Sequence, residues 1–172
     1  MGEEEVFVTN NFGETQKLGK EFVARLHLEQ GVTLSKATVI ALYGDLGSGK
    51  TTFVQGMAVG LGIRRRIISP TFIIVRSYQI RGKGKGLRVK FFYHIDLYRI
   101  ENERDLKGLG IEEIINNPQN IVVIEWAEKM ENLLPKNRWD VRFEYLDEEK
   151  RKITIRKLEA RNPKSETIPK SE

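Results

Sequence analysis

Residues 44–52 read Gly44-Asp45-Leu46-Gly47-Ser48-Gly49-Lys50-Thr51-Thr52, a complete G-x-x-x-x-G-K-[ST] phosphate-binding pattern. Its parts have separable tasks. Glycines let the backbone wrap closely around an anion, because no Cβ intervenes. Successive N–H groups then point inward as an anion nest. The helix that follows adds the positive end of its dipole. Lys50 can reach β- and γ-phosphates, and the Thr51 hydroxyl can ligate Mg²⁺. The ligand this spells is a nucleoside triphosphate with magnesium.

A phosphate loop of this kind needs an acidic group at the end of a neighbouring strand, to hold Mg²⁺ or its water. Ile121-Val122-Val123-Ile124-Glu125 ends four apolar residues in a carboxylate. That carboxylate would emerge at the carboxyl edge of a sheet, where the loop also sits. Asp96 follows another apolar strand in His94-Ile95-Asp96-Leu97-Tyr98-Arg99. It can orient an attacking water or help hold Mg²⁺. The metal candidates are therefore Thr51, Glu125 and Asp96, and the catalytic candidates Lys50, Asp96 and Glu125. His94 shares a strand face with Asp96 and reads as structural rather than catalytic. Trp126 either packs or covers the nucleotide against water. Arg99 either neutralises a γ-phosphate or pairs with a carboxylate. Thr71, after Pro70, reads equally as a phosphate-sensing switch residue and as part of a capped turn.

The surrounding elements suit these tasks. Val39–Tyr43 is an unbroken apolar run, as for a strand buried on both faces. After the loop, Phe53, Val54, Met57, Ala58 and Leu61 recur at helical spacing. The pattern predicts a strand at 6–9 and an amphipathic helix over 15–29, with Gly31 as its stop. Strands follow at 72–79 and 87–94, joined by a loose Gly/Lys hairpin. Short helices are predicted at 101–107, 111–115 and 127–134, a buried strand at 121–124, and a closing hairpin of 141–146 with 152–158. Strands alternating with helices imply an α/β fold of the P-loop NTPase type. It would be three-layered, with a mixed, mainly parallel central sheet and peripheral hairpins. Residues 1–159 make one domain, and 160–172 a polar tail expected to be disordered.

Bulk composition narrows the class. The chain has 172 residues, 40% hydrophobic and 31% charged, which suits a globular domain with its own core. No apolar run approaches the ~20 residues that span a bilayer, and the acidic start Met1-Gly2-Glu3-Glu4-Glu5 is unlike a secretory signal. Absence of cysteine removes disulfides, zinc thiolates and cysteine nucleophiles, and a cytoplasmic setting is expected. The net charge of +5 favours polyanions. Its local clusters are Arg64-Arg65-Arg66 and the Arg/Lys positions from Arg81 to Lys90. Neither interleaves aromatics for base stacking, so both read as solvated surface.

The ordered set Gly44–Phe53, Ser69-Pro70-Thr71-Phe72, His94–Arg99 and Ile124-Glu125-Trp126, with Leu109–Glu113 between the last two, resembles the TsaE family. The match spans about Thr15 to Pro135. The resemblance implies a cytoplasmic P-loop ATPase of bacterial tRNA threonylcarbamoyladenosine synthesis, using ATP and Mg²⁺. It implies binding to a TsaB–TsaD heterodimer, with tRNA met indirectly through that complex, and no membrane. It also implies that Thr15 contributes to the nucleotide pocket, that Asp96 is needed for hydrolysis, and that Trp126 lies near the nucleotide.

Three rivals remain. A small-molecule kinase shares the size and the loop, but would need an acceptor pocket and an Arg-bearing lid. A GTPase switch would need an Asn-Lys-x-Asp guanine reader, which the chain lacks. A non-enzymatic RNA-binding module would rest on the basic clusters alone and bind with a steep salt dependence.

Overall fold

The computed structural model describes residues 4–29, 35–70, 73–80 and 89–159. The Gly31 stop, Thr71, the Gly/Lys tip at 81–88 and the tail from 160 lie outside the described residues. The elements are β1 (Glu4–Thr9), α1 (Phe12–Glu29), β2 (Thr38–Tyr43), α2 (Lys50–Gly60), β3 (Val75–Gln79), β4 (Phe91–Asp96), α3 (Ile111–Asn116), β5 (Asn120–Glu125), β6 (Arg138–Tyr145) and β7 (Arg151–Leu158), with 3₁₀ segments at Glu103–Leu106 and Ala127–Leu133.

The strands form a seven-stranded sheet in the order β1-β7-β6-β2-β5-β4-β3. The inner run β6-β2-β5-β4 is parallel, and both flanks are antiparallel. The mixed α/β sheet with peripheral hairpins is thus as expected from the sequence. The apolar runs explain the order. β2 and β5 are buried along almost their whole length, so they take the centre, where both faces are covered.

Alternation divides the core between two faces. Ile40, Leu42, Phe92, Ile121 and Val123 point toward α1 and α2. Val39, Ala41, Ile95, Val122 and Ile124 point toward α3 and the 3₁₀ segments. On the first face the helices touch at glycines. A Cβ on Gly56 would lie 1.9 Å from the Gln16 carbonyl oxygen, and one on Gly19 2.2 Å from that of Phe53. Phe53, in the first full turn after the phosphate loop, has its ring centroid 5.6 Å from those of both Phe22 and Phe143. The start of α2 is therefore clamped between α1 and β6. Burying such an aromatic contributes about 3–5 kcal/mol by the cost of its removal.

Several boundaries depart from the sequence reading. α1 begins at Phe12 rather than Thr15, because Asn11 caps it: its Oδ1 accepts from the Glu14 N–H at 2.9 Å. β3 begins at Val75 rather than 72, because the N–H groups of Ile73 and Ile74 both turn back to the Pro70 carbonyl, at 2.8 and 2.6 Å. β4 runs to Asp96 and β5 to Glu125, so both carboxylates are strand residues. The segments at 101–107 and 127–134 are 3₁₀ turns rather than α-helices. The second is broken at Met130, where φ is −132°. Among the described residues no helix is long and apolar enough to cross a membrane.

A candidate nucleotide-binding site at the carboxyl edge of the sheet

The phosphate loop joins β2 to α2. Gly47 (φ 76°) and Gly49 (φ 103°) hold left-handed backbone that side-chain-bearing residues disfavour. Lys50 is only 4% exposed. Its Nζ donates to the carbonyls of Gly44 at 2.6 Å and Asp45 at 2.8 Å. The Trp126 ring centroid lies 4.1 Å from the same atom, within cation–π range. Burial pulls the Lys50 ammonium below the ordinary lysine range, while Glu125, Glu128, Asp96 and Asp45 act to raise it. Ser48 Oγ is buried with no hydrogen-bond partner among the described residues.

Thr51, the second residue of α2, stands opposite the end of β5. Its hydroxyl lies 2.9 and 3.0 Å from the two oxygens of the Glu125 carboxylate. His94 Nε2 lies 2.8 Å from Glu125 Oε1, and His94 and Glu125 are both buried. β4 and β5 are parallel neighbours with Asp96 opposite Glu125. Both carboxylates share the face of Phe92 and Ile121, the one on which α2 packs. Asp96 accepts from the Ser69 hydroxyl and from the Tyr98 N–H at 2.9 Å.

A hard hydroxyl and a carboxylate at contact distance suit Mg²⁺. That ion takes one or two protein carboxylates and completes its octahedron with water and substrate phosphates. Among the described residues no group of three His, Cys, Asp or Glu side chains could hold a metal without such help. The donor set therefore fits magnesium delivered with a nucleotide. The left-handed glycines and the start of α2 fit the phosphates.

Trp126 occupies left-handed backbone (φ 59°) between β5 and the following 3₁₀ segment. Its ring is 5.3 Å from that of Tyr98. Lys129 ties this corner together by donating to the Ile100 carbonyl at 2.8 Å and to that of Tyr98. Thr15 is 2% exposed. Its Oγ1 is bonded to that of Thr9 at 2.8 Å, and its methyl is what a Cβ on Gly49 would meet at 3.7 Å. Leu46 is 67% exposed at the loop tip, and Thr52 is half-buried in the first turn of α2. The sheet edge thus gathers Lys50, Thr51, Glu125, Asp96 and Trp126, with Thr15 beside the loop. Arg99 and the Arg64–Arg66 run are exposed.

Comparison with known proteins gives the family of the chain. The family model described as threonylcarbamoyl adenosine biosynthesis protein TsaE matches residues 9–153. The chain belongs to the TsaE family. Its TsaE relatives, each named tRNA threonylcarbamoyladenosine biosynthesis protein TsaE, include that of Haemophilus influenzae, 37% identical over 77% of each chain. That of Bacillus subtilis is 40% identical over 68% of each. That of a Nostoc species is 41% identical over 79% of this chain and 80% of its own. The solved structure of Bacillus subtilis YdiB superposes with a TM-score of 0.69 at 30% identity, covering 92% of this chain and 88% of its own.

The TsaE match contains the whole site and reaches four contacts the sequence reading passed over. They are the grip of His94 on Glu125, the Ser69 hydroxyl on Asp96, and the contacts of Tyr145 and Arg151 to loop carbonyls. Ser69 lies inside the Ser69-Pro70-Thr71-Phe72 motif, and His94 carries a strand-face signal. Tyr145 and Arg151 had no local signal, since each meets the loop only through the sheet order.

Proposed function

We propose that this chain is the MgATP-binding, ATP-hydrolysing component of bacterial tRNA threonylcarbamoyladenosine synthesis, supporting repeated turnover by a TsaB–TsaD heterodimer. The observation that carries the reading is the Thr51 hydroxyl against both oxygens of Glu125, one residue along the chain from the buried Lys50. Family membership supplies the pathway.

The Thr51 hydroxyl and the Glu125 carboxylate would hold Mg²⁺, which would supply charge neutralisation for a bound triphosphate. Everything else falls to side chains and amides of the chain. The loop N–H groups and the start of α2 bind phosphate. Lys50 exchanges its two carbonyl acceptors for phosphate oxygens. Thr51 and Glu125 present hard oxygens to the metal, with His94 fixing the carboxylate's rotation. Asp96, steadied by Ser69 and the Tyr98 N–H, orients the attacking water and draws its proton. Trp126 and Tyr98 limit access of bulk water. Hydrolysis by the isolated chain is slow and rises when TsaB–TsaD completes the charge stabilisation, an effect worth ~10³-fold or more in other P-loop systems. The route to tRNA runs through that complex.

The test is ATP turnover and tRNA modification, alone and with a TsaB–TsaD pair plus tRNA, for wild type and Lys50→Ala. Wild type should sustain repeated modification and the variant should not. ATP hydrolysis with no effect on modification would keep the ATPase and remove the pathway.

A further inference from the structure

The β6–β7 hairpin reaches the phosphate loop from the side. Tyr145, the last residue of β6, donates its hydroxyl to the Leu46 carbonyl at 2.6 Å. Arg151, the first of β7, reaches the Gly47 carbonyl with Nη2 at 3.4 Å. Its guanidinium also lies 4.3 Å from the centre of the Tyr145 ring. Its Nη1 donates to the carbonyls of Asp147, Glu148 and Lys150 at 2.9, 3.0 and 2.9 Å. The Asp147 carboxylate accepts from the N–H groups of Glu149 and Lys150 at 3.0 and 2.7 Å. The turn is thus cross-braced from inside, and the brace extends to two adjacent peptide units of the loop.

Those two peptides decide where the loop's N–H groups point. In a planar trans peptide the C=O and N–H are opposed. A Leu46 carbonyl held by Tyr145 therefore sends the Gly47 N–H away from the hairpin. A Gly47 carbonyl held by Arg151 does the same for the Ser48 N–H, which closes the loop onto the Asp45 carbonyl at 3.1 Å. Glycine cannot fix the first of these directions itself. At Gly47 both hands of φ are accessible, so a flip of the 46–47 peptide meets little resistance from the residue. Such a flip would turn a carbonyl oxygen to the side from which the N–H serves an anion. The orientation needs an external donor, and the hairpin supplies one. Fit is close: a Cβ on Gly47 would lie 2.7 Å from the Tyr145 hydroxyl oxygen.

We infer that Tyr145 and Arg151 are positioning residues for triphosphate binding, holding the 46–47 and 47–48 peptides so that the Gly47 N–H faces the phosphates. The inference rests on the nucleotide reading of the loop. It assigns to the terminal hairpin a task in the site, apart from closing the sheet. The side chains themselves touch the loop backbone, and the loop backbone touches the ligand.

Tyr145→Phe removes the donor while keeping the ring that Arg151 covers. Two quantities test it: the Kd of a non-hydrolysable ATP analogue with Mg²⁺ by calorimetry, and the melting temperature without nucleotide. A third, the backbone ¹⁵N–¹H signal of Gly47, reports the peptide itself. Loss of one hydrogen bond should weaken analogue binding by about 3- to 10-fold. The Gly47 signal should move or broaden, while the melting temperature stays close to wild type. Arg151→Lys, which keeps the charge but loses the fork, should weaken binding less than Tyr145→Phe. Wild-type Kd and an unmoved Gly47 signal in Tyr145→Phe would overturn the brace. A weaker Kd that tracks a lower melting temperature would overturn it too, by making the bond merely structural. If wild type itself fails to bind the analogue, the nucleotide reading falls first and the brace with it. Failure of the brace alone shows as wild-type binding retained by the variant.

Discussion

The two faces of the sheet are built to different standards, and the site takes a part from each. On one face α1 and α2 are regular helices so close that Gly19 and Gly56 leave no room for a methyl group. On the other, α3 spans only Ile111–Asn116 and its neighbours are 3₁₀ segments, one broken at Met130. Lys50 and Thr51 belong to α2 and so to the first face. Trp126 packs against the second. A phosphate grip depends on N–H groups aimed in fixed directions, so it gains from rigid packing. A cover must open to admit its ligand, and segments with few intrahelical bonds move most easily. On the proposed nucleotide reading, grip would come from the rigid face and cover from the irregular one, matching the two packing styles.

The largest expected effect lies at the carboxyl edge of the sheet, on the α2 face. Glu125→Ala removes the carboxylate that faces Thr51 and His94. Mg²⁺-dependent ATP turnover should fall by about 100-fold or more, the scale of losing one preorganised electrostatic group. Circular dichroism should show the fold intact. Wild-type turnover in this variant would take Glu125 out of the site.

The same substitution made on each face measures the difference in packing. Gly56→Ala drives a methyl group into the Gln16 backbone. Overpacking of this kind costs about 1–3 kcal/mol, or several degrees of melting temperature in a chain of this size. Gly110→Ala on the other face has only Glu113 Oε2 nearby, at 3.8 Å, and is opposed chiefly by its φ of 69°. That strain is worth ~1–2 kcal/mol. Gly56→Ala should also weaken nucleotide binding, because displacing α2 displaces Thr51, whereas Gly110→Ala should leave it unchanged. Equal effects of the two on Kd would erase the contrast.

Sequence legibility followed the same division. The strand–loop–helix unit is legible residue by residue, because strand, glycine loop and helix are contiguous. Glu125 and Asp96 were visible as carboxylates closing apolar strands. The central strands were visible because burial on both faces leaves an unbroken apolar run. On the irregular face the helix expected at 111–115 stands as α3, while those expected at 101–107 and 127–134 are 3₁₀ segments. Apolar residues of that face recur at three to four positions, which both helix types satisfy over one turn. Tyr145 and Arg151 meet the loop across 99 and 104 residues of sequence. Only the placement of β6 beside β2 brings them there, and no local periodicity encodes that neighbour. His94 was assigned to the correct strand face, but its acceptor lies 31 residues away on β5 and follows from strand register alone.

The smallest effect concerns Lys50, where grip and cover touch. Its ammonium is buried beneath Trp126 and its pKa is depressed chiefly by that burial. A lysine less basic in the folded chain than in the unfolded one carries its charge at a cost to stability. That cost is fully present below the depressed folded-state pKa, where both states are charged. It fades as the pH climbs from there toward the ordinary lysine value of about 10.4, and is gone once both states are neutral. Lys50→Met keeps the length and removes the charge. The stability of wild type relative to Lys50→Met should therefore rise across that window, read as a growing difference in melting temperature. Other lysines and tyrosines titrate alike in both proteins and cancel in the difference. Paired thermal melts at pH 7 and pH 11 without nucleotide read the slope. A flat difference would mean that the two carbonyls and the indole face fully offset the desolvation of Lys50. In that case binding phosphate would not relieve any penalty on Lys50. A positive slope would mean that the loop holds its cation at a cost, which an incoming phosphate, as a better partner than two carbonyls, removes.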